Sequence, residues 1–458
     1  MPKLPLTTKN QNIIFQGQTL ISLLIALAIF AILSHAIFTL TTASFKTVSF
    51  SKARIAARHI GEEKIETIRN MPYDSVGTVG GIPSGPLIQT ENRFLNGLNY
   101  VIKTDIVYID DPFDGQSPDD LLPTDYKRVR VDVSWGGAAA STNNPIVITT
   151  DIAPKGIEEA TGGGTLSILV FDANAEAVGQ AQIHISSDDV TPAVDITQNT
   201  NDNGRMIIPG IPECTECYDI TVTKSGYSTD KTYTTAEVAN PSRPPVSIVE
   251  GSLTEVSFAI DRTSTVNIST LGDRENLFAP IPDTPFVLTG QKIIGTDIGD
   301  YPVYKFERQF VTSTTGNLTI TDVEWDNYTL TLTSGSTYEI ATANPIIPYV
   351  LLPNSNINWL VSLVPQSAHN LYLIFRDESV NPIASVSAKL TGPASFDQTK
   401  YTGASTEADW GQVFFSNLSS DVYQLLATHA AYVDTTKSIT VNGNSVDQNV
   451  LTTPTPTP

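Results

Sequence analysis

Residues 10–45 of this 458-residue chain contain no Asp, Glu, Lys or Arg, and His35 is their only ionisable side chain. No other stretch restricts the fold as strongly. About 20 apolar residues suffice to cross a bilayer core as a helix, and the run "GQTLISLLIALAIFAIL" from Gly17 begins behind a polar leader carrying Lys3 and Lys9. Those lysines precede the run, which places the leader in the cytoplasm and the body outside. The expectation is a single-pass membrane protein with an extracytoplasmic body.

Beyond Phe45 the character changes without a break. "KTVSFSKARIAARHIGEEKIETIRN" holds no Pro and a single Gly61, while Ala53, Ala57, Ile60 and Ile68 recur at roughly helical spacing between charged residues. Met71-Pro72 ends the pattern, because proline disfavours helix at the residue before it. One helix over 18–72 is predicted, about 75 Å long at 1.5 Å per residue. Half of it is greasy and half amphipathic. A plain anchor has no use for the second half; a subunit that packs among similar helices does.

The row Gly17-Gln18-Thr19-Leu20-Ile21-Ser22-Leu23-Leu24 resembles the type IV pilin and pseudopilin family, in which a short basic leader ends in Gly before Phe-Thr-Leu-Ile-Glu and a long apolar helix. The stretch "EEKIETIRNMPYDSV" is similar to the continuation in minor pilins and pseudopilins. The resemblance implies cleavage of leader 1–17 after Gly17 by a prepilin peptidase and N-methylation of Gln18. It also implies extraction by an inner-membrane assembly platform into a pilus or short pseudopilus. The partners would be other pilin or pseudopilin subunits, met through the N-terminal helix, with the body at the cell surface after assembly. Two positions depart from the family. Gln18 stands for the usual Phe, which bears on methylation. Ser22 stands for the glutamate that pairs with a neighbour's terminal amine, a buried ion being tolerable only when paired. A subunit with only a hydroxyl there suits a tip or initiating position; drift in a protein that stays in the membrane is the competing reading.

Residues 73–152 carry two alternating stretches, "NYVIKTDIVYIDD" and "DYKRVRVDVSW", read as half-buried strands of a small antiparallel head packed on the helix. Between them Asp110, Asp111, Asp114, Asp119 and Asp120 form an acid-rich loop. Several hard oxygens at close quarters make it a candidate Ca2+ site, with a solvated turn as the ordinary alternative; no other cofactor is expected. A Gly-rich linker, 153–164, follows.

The remainder repeats internally. Gly204, Gly316 and Gly411 precede Tyr218, Tyr328 and Tyr423 by 14, 12 and 12 residues, and Tyr227 and Tyr432 follow two of these tyrosines by nine. Three modules, 165–262, 263–366 and 367–452, are predicted as small β-sandwiches of about seven strands. The first and third, with "LSILVFDANAEAVGQAQIHIS" and "LYLIFRDESVNPIASVSAKLTG", resemble the carboxypeptidase-regulatory-like family, a prealbumin-type sandwich; the middle one is divergent. That resemblance implies spacers or binding platforms rather than active sites. The fold class expected is therefore an α+β pilin-like part, one long helix plus a small antiparallel sheet, followed by about three all-β Ig- or prealbumin-like modules. The Thr-Pro run 453–458 is expected to be an extended tail.

Charge bears on partners. Residues 1–70 hold eight basic residues against three glutamates, so within a net charge of −21 the other 388 sum to −26. Such a body repels phosphate backbones, and no nucleic-acid partner is expected. The two cysteines, Cys214 and Cys217, lack the further ligands of a structural zinc and suggest a small disulfide ring, with a reduced pair as the alternative. The five histidines are scattered, His184 and His369 falling in predicted strands, and no Gly-x-Ser-x-Gly elbow, HExxH or phosphate loop occurs. Asn199, Asn201, Asn203 and Gly204 begin like a calcium loop, but Gly210 stands where a bidentate Glu is required, so a hairpin turn is expected. Trp325, Trp359 and Trp410 are expected in cores, carbohydrate stacking being the alternative. The chain is read as no enzyme but a minor, tip or initiating, pilin-like subunit displaying β-sandwiches, structural and adhesive, toward surface proteins, exported proteins or glycans. The rivals are a pseudopilin of a type II-like secretion system and a membrane-anchored surface protein outside any filament.

Overall fold

The computed structural model describes residues 20–111, 124–136, 145–154 and 163–452. Helix α1 runs from Leu20 to Arg69, 50 residues without interruption. Beyond it the regular elements of the described residues are β-strands and three single-turn 3-10 segments. It divides into two compact units: residues 1–79, 84–106 and 127–153 form one, and residues 80–83, 107–126 and 154–458 the other.

In the first unit a four-stranded antiparallel sheet of β1 (Thr90–Leu95), β2 (Leu98–Ile109), β3 (Tyr126–Trp135) and β4 (Ile146–Ile152) has its strands in sequence order. Alternation in β3 buries Val129, Val131, Val133 and Trp135, and these meet Ala53, Ala57, Ile60, Ile65 and Ile68 of α1 in one core. Gly61 is buried where the helix crosses the sheet; a Cβ there would stand 2.7 Å from the Ile148 Cδ1. The chain leaving α1 is held by Lys127, 3% exposed, whose Nζ donates to the Tyr73 and Val76 carbonyls at 2.9 Å. Burial pushes that ammonium's pKa down.

The second unit holds three two-sheet sandwiches of common topology. In the first, Gly164–Phe171 lies between Arg205–Ile211 and Leu253–Ala259, packed on a sheet built around Gln182–Ser187 and Cys214–Thr223. In the second, Ser264–Leu271 lies between Asn317–Val323 and Asn356–Pro365, packed on a sheet around Pro285–Gly290 and Asp326–Leu332. In the third, Asn370–Arg376 lies between Gln412–Phe415 and Asn444–Val450, packed on a sheet around Ser387–Thr391 and Asp421–Thr428. In all three the first strand pairs parallel with the last, an arrangement that ties each module's entry to its exit.

The repeated Gly and Tyr have fixed tasks. Gly204, Gly316 and Gly411 adopt φ of 71°, 74° and 68°, and their carbonyls accept from Val170, Thr270 and Phe375 N–H at 2.7–2.8 Å. A Cβ on Gly204 would stand 2.4 Å from the Val170 carbonyl oxygen, so glycine is required by space as well as by φ. Tyr218, Tyr328 and Tyr423 are at most 1% exposed. The first two donate their hydroxyls to the Pro212 and Glu324 carbonyls at 2.7 and 2.9 Å, and the Tyr423 hydroxyl accepts from the Ser419 N–H at 3.1 Å. Such a tyrosine corner fixes how the chain enters a central strand. In the first module the corner reaches back six residues instead of four, and Cys214 and Cys217, joined by a disulfide, occupy the extra length.

Two expectations need correction. "NTNDNGRM" is a turn but no hairpin: Val194–Asn199 and Arg205–Ile211 belong to different sheets, and the Asn201 carboxamide oxygen accepts the Asn203 and Arg205 N–H groups where the chain crosses. In each module the first two strands likewise lie in different sheets. His369 lies in a bend just before the strand that begins at Asn370. Alternation reveals that a segment is a strand, not which strand it pairs with.

Buried tyrosines make the second unit sensitive to base. Burial, with the Asp230 and Glu324 charges, pushes the Tyr233 phenol up to about 12, and burial raises Tyr328 and Tyr372 as well. A phenol whose folded pKa exceeds its unfolded value of about 10 contributes stability that is intact below pH 10 and lost as pH rises through the folded value. Calorimetric scans should therefore show an even melting temperature up to about pH 9 and a steep fall between pH 10 and 12. The share of Tyr233 is about 2 kcal/mol, and Tyr233→Phe should flatten the fall. A melting temperature that stays level to pH 12 would contradict this.

Candidate assembly site on the N-terminal helix

From Leu27 to Phe45 the membrane-competent half of α1 is bare. Phe30, Ile37, Phe38 and Phe45 are 65–68% exposed and Leu40 70% exposed. Most of its described hydroxyls turn inward on the helix: Thr39, Thr41, Ser44 and Thr47 donate to the carbonyls of Ala36, Ile37, Leu40 and Ala43 at 2.7–3.0 Å. An apolar surface of this length, interrupted among the described side chains mainly by Ser34 and His35, is a surface made to be covered by lipid or by other apolar helices. By length and composition the helix can cross a membrane.

The second half is committed to the head. Ala57 and Ile68 are fully buried, the Tyr100 hydroxyl lies 3.4 Å from the Ala53 carbonyl oxygen, and Phe50 packs on Trp135 with ring centroids 5.7 Å apart. Between the two halves the exposed Lys46, Lys52, Arg54 and Arg58 follow one another without an acidic residue until Glu62. Arg58 pairs with Glu62 at 2.9 Å.

Gly17 and Gln18 lie outside the described residues. Ser22 falls within α1, in the first turns of the helix. Of the acid-rich loop, Asp110 and Asp111 are described, the Asp111 N–H donating to the Asp125 carboxylate; Asp114, Asp119 and Asp120 are not among the described residues. No group of three metal-ligating side chains occurs among the described residues. Trp359 is 1% exposed and donates its indole N–H to the Pro345 carbonyl at 2.8 Å, so it is a core residue. Trp325 carries the Lys292 ammonium 3.3 Å from its ring centroid. His184 lies in Gln182–Ser187 beside Asp195.

Sequence reasoning missed the join between the second and third sandwiches. Arg274 donates to the Asp409 carboxylate at 2.7 and 2.8 Å and to Glu407 at 2.7 Å, and Gln412, 0% exposed, brackets the Ala343 backbone. Only a buried polar residue inside "GQVFF" hinted at it.

A family model described as the prokaryotic N-terminal methylation motif matches residues 15–38. No curated protein matches the chain. Solved structures similar to it include the Bacillus anthracis TIE protein, 12% identical over 78% of this chain and 70% of that one, with a TM-score of 0.19. A Streptococcal ancillary pilin is 11% identical over 63% of this chain and 99% of its own, TM-score 0.19. BcpA, the major pilin subunit of Bacillus cereus, is 12% identical over 64% and 100%, TM-score 0.17. At such scores these likenesses support no conclusion. The chain thus joins a prokaryotic N-terminal methylation motif to one long helix and, beyond it, β-sandwich domains.

Proposed function

We propose that the chain is a minor, tip or initiating, subunit of a type IV-like filament, a structural protein that carries its sandwiches outward as an adhesive display. The observation that carries this reading is continuity: the methylation motif at 15–38 runs into one helix whose first half is bare and whose second half is the core of a head. Bare apolar surface needs a cover at every stage. Lipid serves while the leader is still attached in the cytoplasm and the body stands outside. After a prepilin peptidase cuts behind Gly17, the helices of other pilin subunits serve instead.

Ser22 supports the end position. A shaft subunit needs to neutralise the amine of the subunit beside it, and a hydroxyl leaves that ion without a partner in apolar surroundings. A subunit at the tip is exempt on one side. The test is the N-terminus of the mature chain, read by mass spectrometry from membranes and from sheared filaments. A chain beginning at Gln18, with or without a methyl group, and recovered in the sheared fraction is the expected result. An intact Met1, or a cut near Ala43, would remove the proposal.

A further inference from the structure

Three unpaired cations stand where α1 leaves its apolar run. Lys46, Lys52 and Arg54 are exposed and have no ion-pair partner among the described residues, in a chain whose net charge is −21. Arg58, one turn further, is tied to Glu62. Elsewhere in the head basic side chains have partners: Lys64 pairs with Glu91, Arg93 with Glu63 and Arg128 with Asp151, and Lys127 donates to backbone carbonyls. Orientation gives these three no purpose: only Lys3 and Lys9 precede the apolar run, so on the far side the extra cations oppose the positive-inside preference. Their placement calls for another partner.

We propose that Lys46, Lys52 and Arg54 form a collar that docks the head onto an anionic phospholipid surface while α1 spans the bilayer. The inference rests on the membrane-spanning stage of the reading above. Leu20 to Phe45 is about 39 Å of helix against a hydrocarbon core of about 30 Å, so Lys46 enters the headgroup layer. Lys52 and Arg54 follow about 9 and 12 Å later, within reach of a surface potential that decays over about 10 Å. Long basic side chains lower their charges toward phosphate while their stems cover apolar surface. Beside them, Ile55, Ile60 and Leu95 line a groove of about 430 Å³ with Lys52 and with Arg93, the latter paired to Glu63. A neighbouring subunit's acidic face is the competing occupant, but it would leave the cations uncovered before assembly, when the chain is still in the membrane.

The test places a fluorophore on Ile55→Cys in the full chain, reconstituted in vesicles of neutral phosphatidylcholine alone or with phosphatidylglycerol, and measures quenching by a headgroup-attached quencher. With phosphatidylglycerol the docked fraction should rise roughly five-fold, fall back in high salt, and not rise in the triple variant K46Q/K52Q/R54Q. Equal quenching in both lipids, or an unchanged rise in the triple variant, would overturn the collar. So would quenching that depends on protein density and not on lipid charge, which would assign the cations to a neighbouring subunit. If the chain fails to float with even neutral vesicles, the spanning stage itself is wrong, and the collar with it.

Discussion

Ile68→Asp should unfold the head, whereas Ile55→Asp, on another face of the same helix, should leave it folded. Ile68 is 0% exposed in the core formed by α1 and the four-stranded sheet, and Ile55 is 60% exposed. Removing a buried Ile side chain costs about 2–5 kcal/mol. A carboxylate left there without a partner adds a further penalty, eased only by taking up a proton. The total is at least about 5 kcal/mol, comparable with the whole stability of a small domain. The introduced carboxyl's folded pKa would be raised, so its cost is smallest in acid and grows as pH rises past the ordinary carboxylate value near 4. Hydrogen exchange of Tyr126–Trp135 in the full chain reads the result: protection lost for Ile68→Asp, retained for Ile55→Asp. Protection retained in both would mean that the amphipathic half of α1 is not what holds the sheet. The bare half of α1 should still enter detergent or lipid in either variant, because its surface does not depend on the head.

That contrast also separates what a sequence displays from what it hides. The period of Ala53, Ala57, Ile60 and Ile68 was enough to see a helix with one committed face, because burial against a sheet imposes helical spacing directly. The Gly-to-Tyr spacing revealed the modules for a related reason. A left-handed turn and a tyrosine corner are backbone geometries that few residues satisfy, so they persist where core residues change, and the divergent middle module shares its neighbours' parallel pairing of first and last strands. Sheet membership was not legible. Val194–Asn199 and Arg205–Ile211 flank a turn as hairpin strands would, yet the first pairs with Gln182–Ser187 and the second with Gly164–Phe171. The join between modules was hidden further still: Arg274 meets Asp409 135 residues on, and nothing local to either residue announces the other. At Gly17 and Gln18 the sequence remains the guide, through the motif match at 15–38.

The join is where a single side chain holds the most. The Gln412 amide oxygen accepts from the Ala343 N–H at 3.0 Å and from the Tyr372 hydroxyl at 2.6 Å, while its amide nitrogen donates to the Ala343 carbonyl at 2.8 Å. One glutamine thus extends the edge of Tyr338–Asn344, in the second module, into the third. Gln412→Ala would leave the Ala343 N–H and carbonyl and the Tyr372 hydroxyl unsatisfied, at about 1–3 kcal/mol for each buried group. A cavity of about 150 Å³ that Gln412 lines offers room for water to recover part of that, which sets the expected loss at about 3 kcal/mol. Around it the small apolar cluster of Ala341, Val364 and Phe414 is too slight to hold the modules alone. Arg274, clamped between Asp409 and Glu407, contributes less, because it is about two-fifths exposed and screened by solvent. Denaturant unfolding followed by hydrogen exchange should therefore show the second and third sandwiches opening together in the natural chain and separately in Gln412→Ala, the third first. Arg274→Ala should shift the joint transition only slightly. A single joint transition retained in Gln412→Ala would mean that apolar contact, not the buried amide, makes the two modules one body.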